Sequence, residues 1–243
     1  MRWLLVIAAI VLGWQTLVWV TAAPPYILPG PVRVFGALTS NIELIAGHAW
    51  ITFIEVMIGL ALGVVLGMAT ALWLQRSAMA RSVLLPVMVL SQAVPVFALA
   101  PLLTLWFGYG LWSKIVMTTI IIFFPVASTF YDGLRNTPAG LLDLAHTMRA
   151  QPLRRLWLIE VPAAVPALAS GLRLAAVYAP IGAGIGELVG AAEGLGYLML
   201  LANGRVKIDL MFASLIVLAM LAVSLHFAMS WLAARLQRWA GVS

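Results

Sequence analysis

The stretch LLDLAHTMRAQPLRRLWLIEVP, residues 141–162, is the longest polar, charge-bearing segment of an otherwise apolar chain. Five of the 22 charged side chains fall within it, namely Asp143, Arg149, Arg154, Arg155 and Glu160. A charge at the centre of a hydrocarbon layer costs a few kcal/mol or more, so this segment lies in water. The sequence predicts that it contacts a soluble partner.

The composition predicts an all-α, polytopic membrane protein. Of the 243 residues, 64% are hydrophobic and 9% are charged, and the mean hydropathy is +1.08, whereas globular proteins carry about 25% charged residues. The net charge of +6 does not indicate nucleic-acid binding, because basic residues gather at the cytoplasmic ends of membrane helices. There is no cysteine and the three histidines are scattered, so we expect no disulfide, metal or cofactor.

Apolar runs separated by prolines and charges predict about six membrane spans, each of about 20 residues. A signal peptide is the alternative for the first run, but its apolar region is typically about 7–15 residues long, and we predict a retained helix. The expected spans are 3–21, 49–74, 83–107, 111–134, 163–189 and 210–232, with an amphipathic helix at 32–48 on the outer surface.

The basic residues predict the orientation of these spans. Nine lie in the segments assigned to one side and four in those assigned to the other, with Arg173 set aside. Positive residues favour the cytoplasmic side, so we expect both termini and residues 141–162 to be cytoplasmic.

Two of the predicted spans carry glycines at a spacing of four residues. They are Gly59, Gly63 and Gly67 in one, and Gly182, Gly186 and Gly190 in the other. This spacing puts the glycines on one stripe of a helix, where they let a neighbouring helix approach closely. The stripes serve either ordinary packing or contact with a helix that moves during function.

Residues 141–162 predict a helix, a sharp turn and a second helix. Leu141 to Met148 form about two helical turns, and Pro152 suits the first position of the helix that follows, where its missing N–H costs nothing. Pro162 is expected to open the fifth span in the same way.

Asp143, Leu144 and Ala145, followed by Ile159 and Pro162, resemble the Glu-Ala-Ala loop in permease subunits of ATP-binding-cassette importers. In that family the loop forms a coupling helix that docks on an ATPase subunit. The resemblance implies that the coupling residues here are Asp143, Ala145, Arg149, Ala150, Arg154, Arg155, Trp157, Ile159 and Pro162. Arg149 stands where the family pattern has a glycine, which would take a left-handed conformation at the end of the first helix.

Three further segments extend the resemblance. Residues 91–110 and 113–134 are similar to the third and fourth spans of the sulfonate, nitrate and taurine branch of these permeases. Residues 179–213, which contain GLGYLM, resemble the permeases for pyrimidine precursors of thiamine, of the hydroxymethylpyrimidine type. The alternative substrates are alkylsulfonates, taurine, nitrate or a riboflavin-like molecule.

The resemblance implies a permease subunit of a bacterial inner-membrane importer that is surrounded by lipid. It also implies a permease homodimer, two copies of an ATPase subunit and a periplasmic substrate-binding protein as partners. No Walker-type phosphate loop occurs in this chain, so ATP hydrolysis is expected in the separate ATPase subunit.

Gln92, Trp106, Tyr178 and Glu187 are the candidates for the substrate pathway, because stacking groups and a few hydrogen bonds suit an aromatic, nearly neutral substrate. The alternative for each of these four residues is a structural role, as part of the core or as an anchor at the membrane interface. A membrane-embedded lipid-modifying enzyme and a lone channel stay open as alternatives. The enzyme would need paired acids or histidines, whereas Glu55, Glu187 and His226 lie on different spans with no shared motif.

Overall fold

The computed structural model describes residues 2–241, with side chains from residue 5 onward, and the regular secondary structure of this range is entirely helical, without strands. The all-α prediction is confirmed. The helices are α1 Arg2–Thr21, α2 Pro31–Ser40, α3 Ile42–Arg76, α4 Ala78–Ser91, α5 Ala100–Phe107, α6 Leu111–Arg135, α7 Ala139–Thr147, α8 Pro152–Arg155, α9 Val161–Gly190, α10 Leu195–Gly204 and α11 Ile208–Trp239. A 3₁₀ turn at Val96–Leu99 precedes α5, and a π turn at Leu156–Glu160 joins α8 to α9.

Four helical segments of the described range are long and apolar enough to cross a membrane. They are Ile42–Arg76, Leu111–Arg135, Pro152–Gly190 and Ile208–Trp239, and α4 with Val96–Phe107 makes a fifth crossing if this bent pair is one span. The part of α1 from Leu5 to Thr21 is apolar but shorter. The count of six spans therefore stays a prediction, because it requires both the bent pair and α1 to cross the membrane.

The predicted third span, 83–107, is not one continuous helix. Helix α4 ends at Ser91, and Val96–Phe107 leaves it at an angle of 90°. Pro95 lacks an N–H and disfavours helical geometry in the residue before it, which favours a break at this point.

The predicted amphipathic helix, 32–48, is shorter than expected. It ends at Ser40, and residues 42–48 belong to α3. Asn41 forms the junction, because its side-chain Nδ2 donates to the Ala37 carbonyl at 2.8 Å and closes the end of α2. Helix α3 therefore has 35 residues, about 52 Å, which exceeds the roughly 30 Å hydrocarbon core.

The predicted fifth span, 163–189, also begins earlier than expected. The helix runs without interruption from Pro152 to Gly190. Pro162 has no N–H to donate, and the π turn before it accommodates this loss, because the Val161 N–H bonds to the Leu156 carbonyl five residues back. The polar segment and the span are thus one continuous helix.

Helix α6 is the centre of the bundle, between α3 and α9. A Cβ added at Gly59 would lie 2.6 Å from Thr118 Cβ, at Gly63 2.8 Å from Ile122 Cβ and at Gly67 3.0 Å from Val126 Cβ. The first glycine stripe therefore contacts α6 at a distance that leaves no room for a side chain.

The second stripe contacts α6 beside the first, since Gly59 and Gly182 both approach Thr118, and it also contacts the neighbouring α5. An added Cβ at Gly182 would lie 3.0 Å from Thr118 Cα, and one at Gly186 would lie 3.2 Å from Lys114 Cγ. Gly190 faces Thr104 on α5, where an added Cβ would overlap the hydroxyl group. Both stripes pack against helices of the same chain.

We expect Gly63→Ala to lower the free energy of unfolding by about 1–3 kcal/mol, because the new methyl group overlaps the β-branched Ile122 side chain. The measurement is the thermal unfolding midpoint of the purified protein in detergent. Gly184→Ala is the matched control, since its methyl group would meet only Leu218 Cδ2 at 3.5 Å. Equal stability of the two variants would contradict the packing role of the stripe.

Candidate functional site

The polar segment folds as α7, a tight turn, and the helix that begins with α8. Arg149 has a φ of 50°, so an arginine takes the left-handed conformation that usually belongs to glycine. The Arg149 N–H bonds to the His146 carbonyl at 2.9 Å, and the Ala150 N–H bonds to the Ala145 carbonyl at 2.9 Å. These two bonds close a Schellman turn, and Pro152 then occupies the first turn of the next helix.

This turn presents an exposed surface of basic and apolar side chains. Arg149, Arg154 and Arg155 are exposed, together with Asp143 and Trp157. Ala145 is buried beneath them, and Ala150, Ile159 and Pro162 are half-buried. Six of the nine sequence candidates line one groove, namely Ala145, Arg149, Ala150, Arg154, Arg155 and Ile159. Asp143, Trp157 and Pro162 are not among its lining residues.

The sequence reasoning missed three apolar members of this surface. Leu144, Met148 and Leu158 are 54%, 73% and 72% exposed, and they border a groove of about 390 Å³. An exposed apolar groove with a basic rim is typical of a surface that binds another protein. We define the coupling surface as these three residues with Arg149, Arg154 and Arg155.

A buried glutamate connects the coupling surface to α3. Glu160 is 3% exposed, and it accepts a hydrogen bond from Arg155 Nε at 2.7 Å and another from Gln75 Nε2 at 2.7 Å. Gln75 lies in the last turn of α3. Neither Gln75 nor the buried position of Glu160 was predicted, because these residues are 85 positions apart and share no local pattern.

Two of the four candidate pathway residues lie in one groove. Gln92 and Tyr178 line a groove of about 460 Å³ with Phe124, Ser128 and Thr129. The other lining residues are apolar, and no lining residue is charged. The groove therefore combines ring faces with uncharged hydrogen-bonding groups.

Trp106 and Glu187 are not among the residues that line this groove. Trp106 is 69% exposed on α5, and Glu187 is 1% exposed inside the bundle. The Glu187 carboxylate accepts hydrogen bonds from Thr52 Oγ1 at 2.6 Å and from the Gly196 N–H. We therefore no longer propose Glu187 as a residue that contacts substrate.

Glu55 and Glu187 lie on different helices, as the sequence predicted, but the fold brings their side chains into contact inside the bundle, where each is 1% exposed. A paired acid was the feature required for a membrane-embedded enzyme. Because both glutamates are buried, a substrate cannot reach this pair, and the pair does not favour a membrane-embedded enzyme.

The comparison with known families decides the class of protein. The family described as "Binding-protein-dependent transport system inner membrane component" matches residues 63–241, well over half of the chain. This chain belongs to that family. It is a multi-pass permease subunit and not an enzyme, and ATP hydrolysis occurs in a separate ATPase.

Similar permeases cover most of the chain. A "Probable ABC transporter permease protein" of Haemophilus influenzae is 50% identical and covers 94% of each chain. The "Formylaminopyrimidine transport permease protein ThiX" of Halalkalibacterium halodurans is 40% identical over 71% of this chain and 70% of its own. Relatives of lower identity are named as permeases for riboflavin and for taurine.

The fold of this permease also occurs in a solved transporter. A chain of the MetNI methionine ABC transporter, determined in inward-facing conformations, superposes with a TM-score of 0.68. The match covers 81% of this chain and 98% of that one at 21% identity. The likeness shows the fold of ABC importer permeases, as the sequence predicted.

We expect Arg149→Gly to retain uptake and to stabilise the turn by about 1 kcal/mol, because glycine adopts a positive φ without strain. Arg149→Val should destabilise the turn, since a β-branched residue is least tolerated there. Unfolding midpoints and cellular uptake at matched membrane levels measure both effects. Loss of uptake in Arg149→Gly would show that the arginine side chain itself is needed.

We expect Glu160→Ala to lower the stability by about 1–2 kcal/mol, because Gln75 loses the partner of a buried hydrogen bond. We also expect less substrate to be transported per ATP hydrolysed, since the coupling surface is no longer tied to α3. Glu43→Ala, at an exposed position in the first turn of α3, is the control. An unchanged ratio of uptake to hydrolysis would contradict a coupling role for Glu160.

Proposed function

We propose that this permease imports a pyrimidine precursor of thiamine, of the hydroxymethylpyrimidine type. Two independent facts support this substrate class. The ThiX relative is named for formylaminopyrimidine transport and is 40% identical, and the groove between α6 and α9 has the chemistry of a site for an uncharged ring.

The groove is the observation that carries the proposal. Its volume of about 460 Å³ falls within the range of about 300–1,000 Å³ for small-molecule sites. Phe124 and Tyr178 offer aromatic faces for stacking, and Gln92, Ser128 and Thr129 offer hydrogen bonds to ring nitrogens and an exocyclic amine.

The same groove argues against a sulfonate or nitrate as substrate. An anion leaving water needs a cation or a set of oriented N–H groups. None of the side chains described along this groove is basic. A riboflavin-like molecule remains the second candidate, because it is also an uncharged heterocycle and one relative is named for riboflavin transport.

The assembly we propose is a permease homodimer with two ATPase subunits and a periplasmic binding protein. One chain carries one coupling surface, and an ATPase pair needs two. In the homodimer the grooves of the two copies would face each other and enclose the substrate between them.

The orientation we propose places both termini and the coupling surface in the cytoplasm. The Gln75–Glu160 hydrogen bond supports it, because it brings the basic loop around Arg76 and Arg81 to the same end of the bundle as Arg154 and Arg155. All four cations then lie on one side, as the positive-inside rule requires.

In this mechanism the ATPase moves the coupling surface, and the permease converts that movement into access to the groove. Because α8 continues directly into α9, a displacement of Arg154 and Arg155 moves Tyr178 without an intervening hinge loop. Helix α3 moves with α9, because Glu160 is bonded to Gln75 of α3 and the glycine stripes pack both helices against α6. The side chains supply no chemistry beyond binding and positioning.

We expect cells that carry the complete transporter to accumulate labelled hydroxymethylpyrimidine. Gln92→Ala and Tyr178→Ala should each reduce uptake about three- to tenfold, the loss that one stacking or hydrogen-bonding group produces. Trp73→Ala is the control, since Trp73 is 59% exposed on α3 and does not line the groove. Trp106→Ala in the same assay tests the remaining pathway candidate.

Competition separates the substrate classes. Excess unlabelled pyrimidine should abolish the uptake signal, and excess taurine should leave it unchanged. Inhibition by taurine would favour the sulfonate branch, and inhibition by riboflavin alone would favour the second candidate. Normal uptake in both groove variants would remove the groove from the pathway.

A further inference from the structure

The N-terminus of α10 is bound by three side chains from two other helices. The Gly194 N–H donates to His48 Nδ1 at 3.0 Å, the Leu195 N–H donates to Thr52 Oγ1 at 2.8 Å, and the Gly196 N–H donates to Glu187 Oε2. The first N–H groups of a helix have no partner within the helix, and a buried one left unpaired is costly. Each of these three donors has an acceptor.

The chain is shaped to bring the Glu187 carboxylate against this helix end. Gly194 has a φ of 108°, which residues with a side chain rarely adopt, and a Cβ at this position would overlap the carboxylate. A Cβ at Gly196 would lie 2.9 Å from Glu187 Cβ. Only glycine permits this approach, and a negative charge is favoured at a helix N-terminus.

The hydrogen bonds also assign the charge within the carboxyl pair. Thr52 Oγ1 accepts from Leu195, and its single proton has two acceptors within reach, Glu187 Oε1 at 2.6 Å and the His48 carbonyl at 3.2 Å. The shorter distance is that of a hydroxyl donating to a carboxylate, while Glu187 Oε2 accepts from Gly196. Both oxygens of Glu187 therefore act as acceptors, as they do in the ionised form.

Glu55 is then the protonated member of the pair. It contacts Glu187, and two adjacent carboxylates in an apolar bundle cannot both be ionised. Glu55 Oε2 is buried and has no hydrogen-bond partner, so no donor stabilises a negative charge on this oxygen. Lys114 is 2% exposed, and its ammonium group, which donates to the Gly110 carbonyl at 2.8 Å, supplies the opposite charge.

We propose that Glu187 is a positioning residue for transport: its ionised carboxylate, with the proton of the pair held by Glu55, locks α10 to α3 and α9. The segment 191–207 then moves with these two helices as one body. The proposal rests on the transport function of the family and does not depend on the substrate.

Labelling of an introduced thiol tests the lock directly, because the chain has no cysteine of its own. Ala202 lies on α10 and is 1% exposed, so Ala202→Cys should react slowly with a maleimide when α10 is locked. The neighbouring Asn203 is exposed, and Asn203→Cys should react fast in every background. The full-length permease in lipid vesicles is the sample.

We expect Glu187→Gln to accelerate labelling at position 202 about tenfold or more, the effect of a buried donor left without its acceptor. Glu55→Gln should leave the rate unchanged, because an amide N–H donates to Glu187 as the protonated carboxyl does. The two substitutions are chemically identical and lie at adjacent positions in the bundle. Equal labelling rates in these two variants would overturn the assignment.

A second pair of variants separates the lock from general damage to the fold. Thr52→Val keeps the shape but removes the hydroxyl, and it should accelerate labelling as Glu187→Gln does. Thr52→Ser keeps the hydroxyl and should restore the slow rate. If the valine and serine variants label alike while the thiol at position 203 reacts at its usual rate, α10 is held by packing alone and the proposal is wrong.

Discussion

Close contact between helix backbones, made possible by glycine, is the constraint on which this bundle depends. Inside a bilayer, apolar side chains gain little by leaving lipid for protein, so helices associate mainly through tight packing and polar contacts. The stripe that contains Gly63 and the stripe that contains Gly182 both contact α6, and they approach each other at Thr118. Both stripes extend over two helical turns, so the contact fixes the register of the three helices as well as their distance.

Two glutamates of the continuous helix Pro152–Gly190 add polar connections at two levels of this packed core. Glu160, in the π turn before α9, binds Gln75, and Glu187, in α9, binds Thr52, so the two glutamates join this helix to α3 at two separate positions. The two α3 partners are 23 residues apart in sequence, about 35 Å along the helix. Because α3 and the helix Pro152–Gly190 are bonded at two separate positions and packed between these positions, the two helices are expected to move together. The coupling surface and the α10 segment are consequently attached to the same rigid unit.

The sequence predicted what depends on local pattern and missed what depends on long-range pairing. Apolar runs identified the helices and glycine spacing identified the packing stripes. The resemblance to the coupling loop implied a left-handed residue at position 149, and Arg149 adopts that conformation. The 90° break at Pro95 was not predicted, because a proline alone does not specify an angle. The pairing of Thr52 with Glu187 spans 135 positions, and no residue near either one indicates the other. Side-chain partners of this kind become visible only when the helices are placed.

The unbroken helix from Pro152 to Gly190 has a mechanical consequence. Its 39 residues, which include Pro166 and Pro180 within the helix, form a helix about 58 Å long, with the arginine-rich surface at one tip and the Glu187 carboxylate near the other. If a helix of this length tilts as one body by about 5° about its midpoint, each end is displaced by about 2–3 Å, in opposite directions. A loop between the surface and the span would absorb such a displacement. The π turn before Pro162, with its one extra residue, therefore keeps the coupling surface connected to the span, so that a displacement of one is passed to the other. A break at this proline would lose that connection.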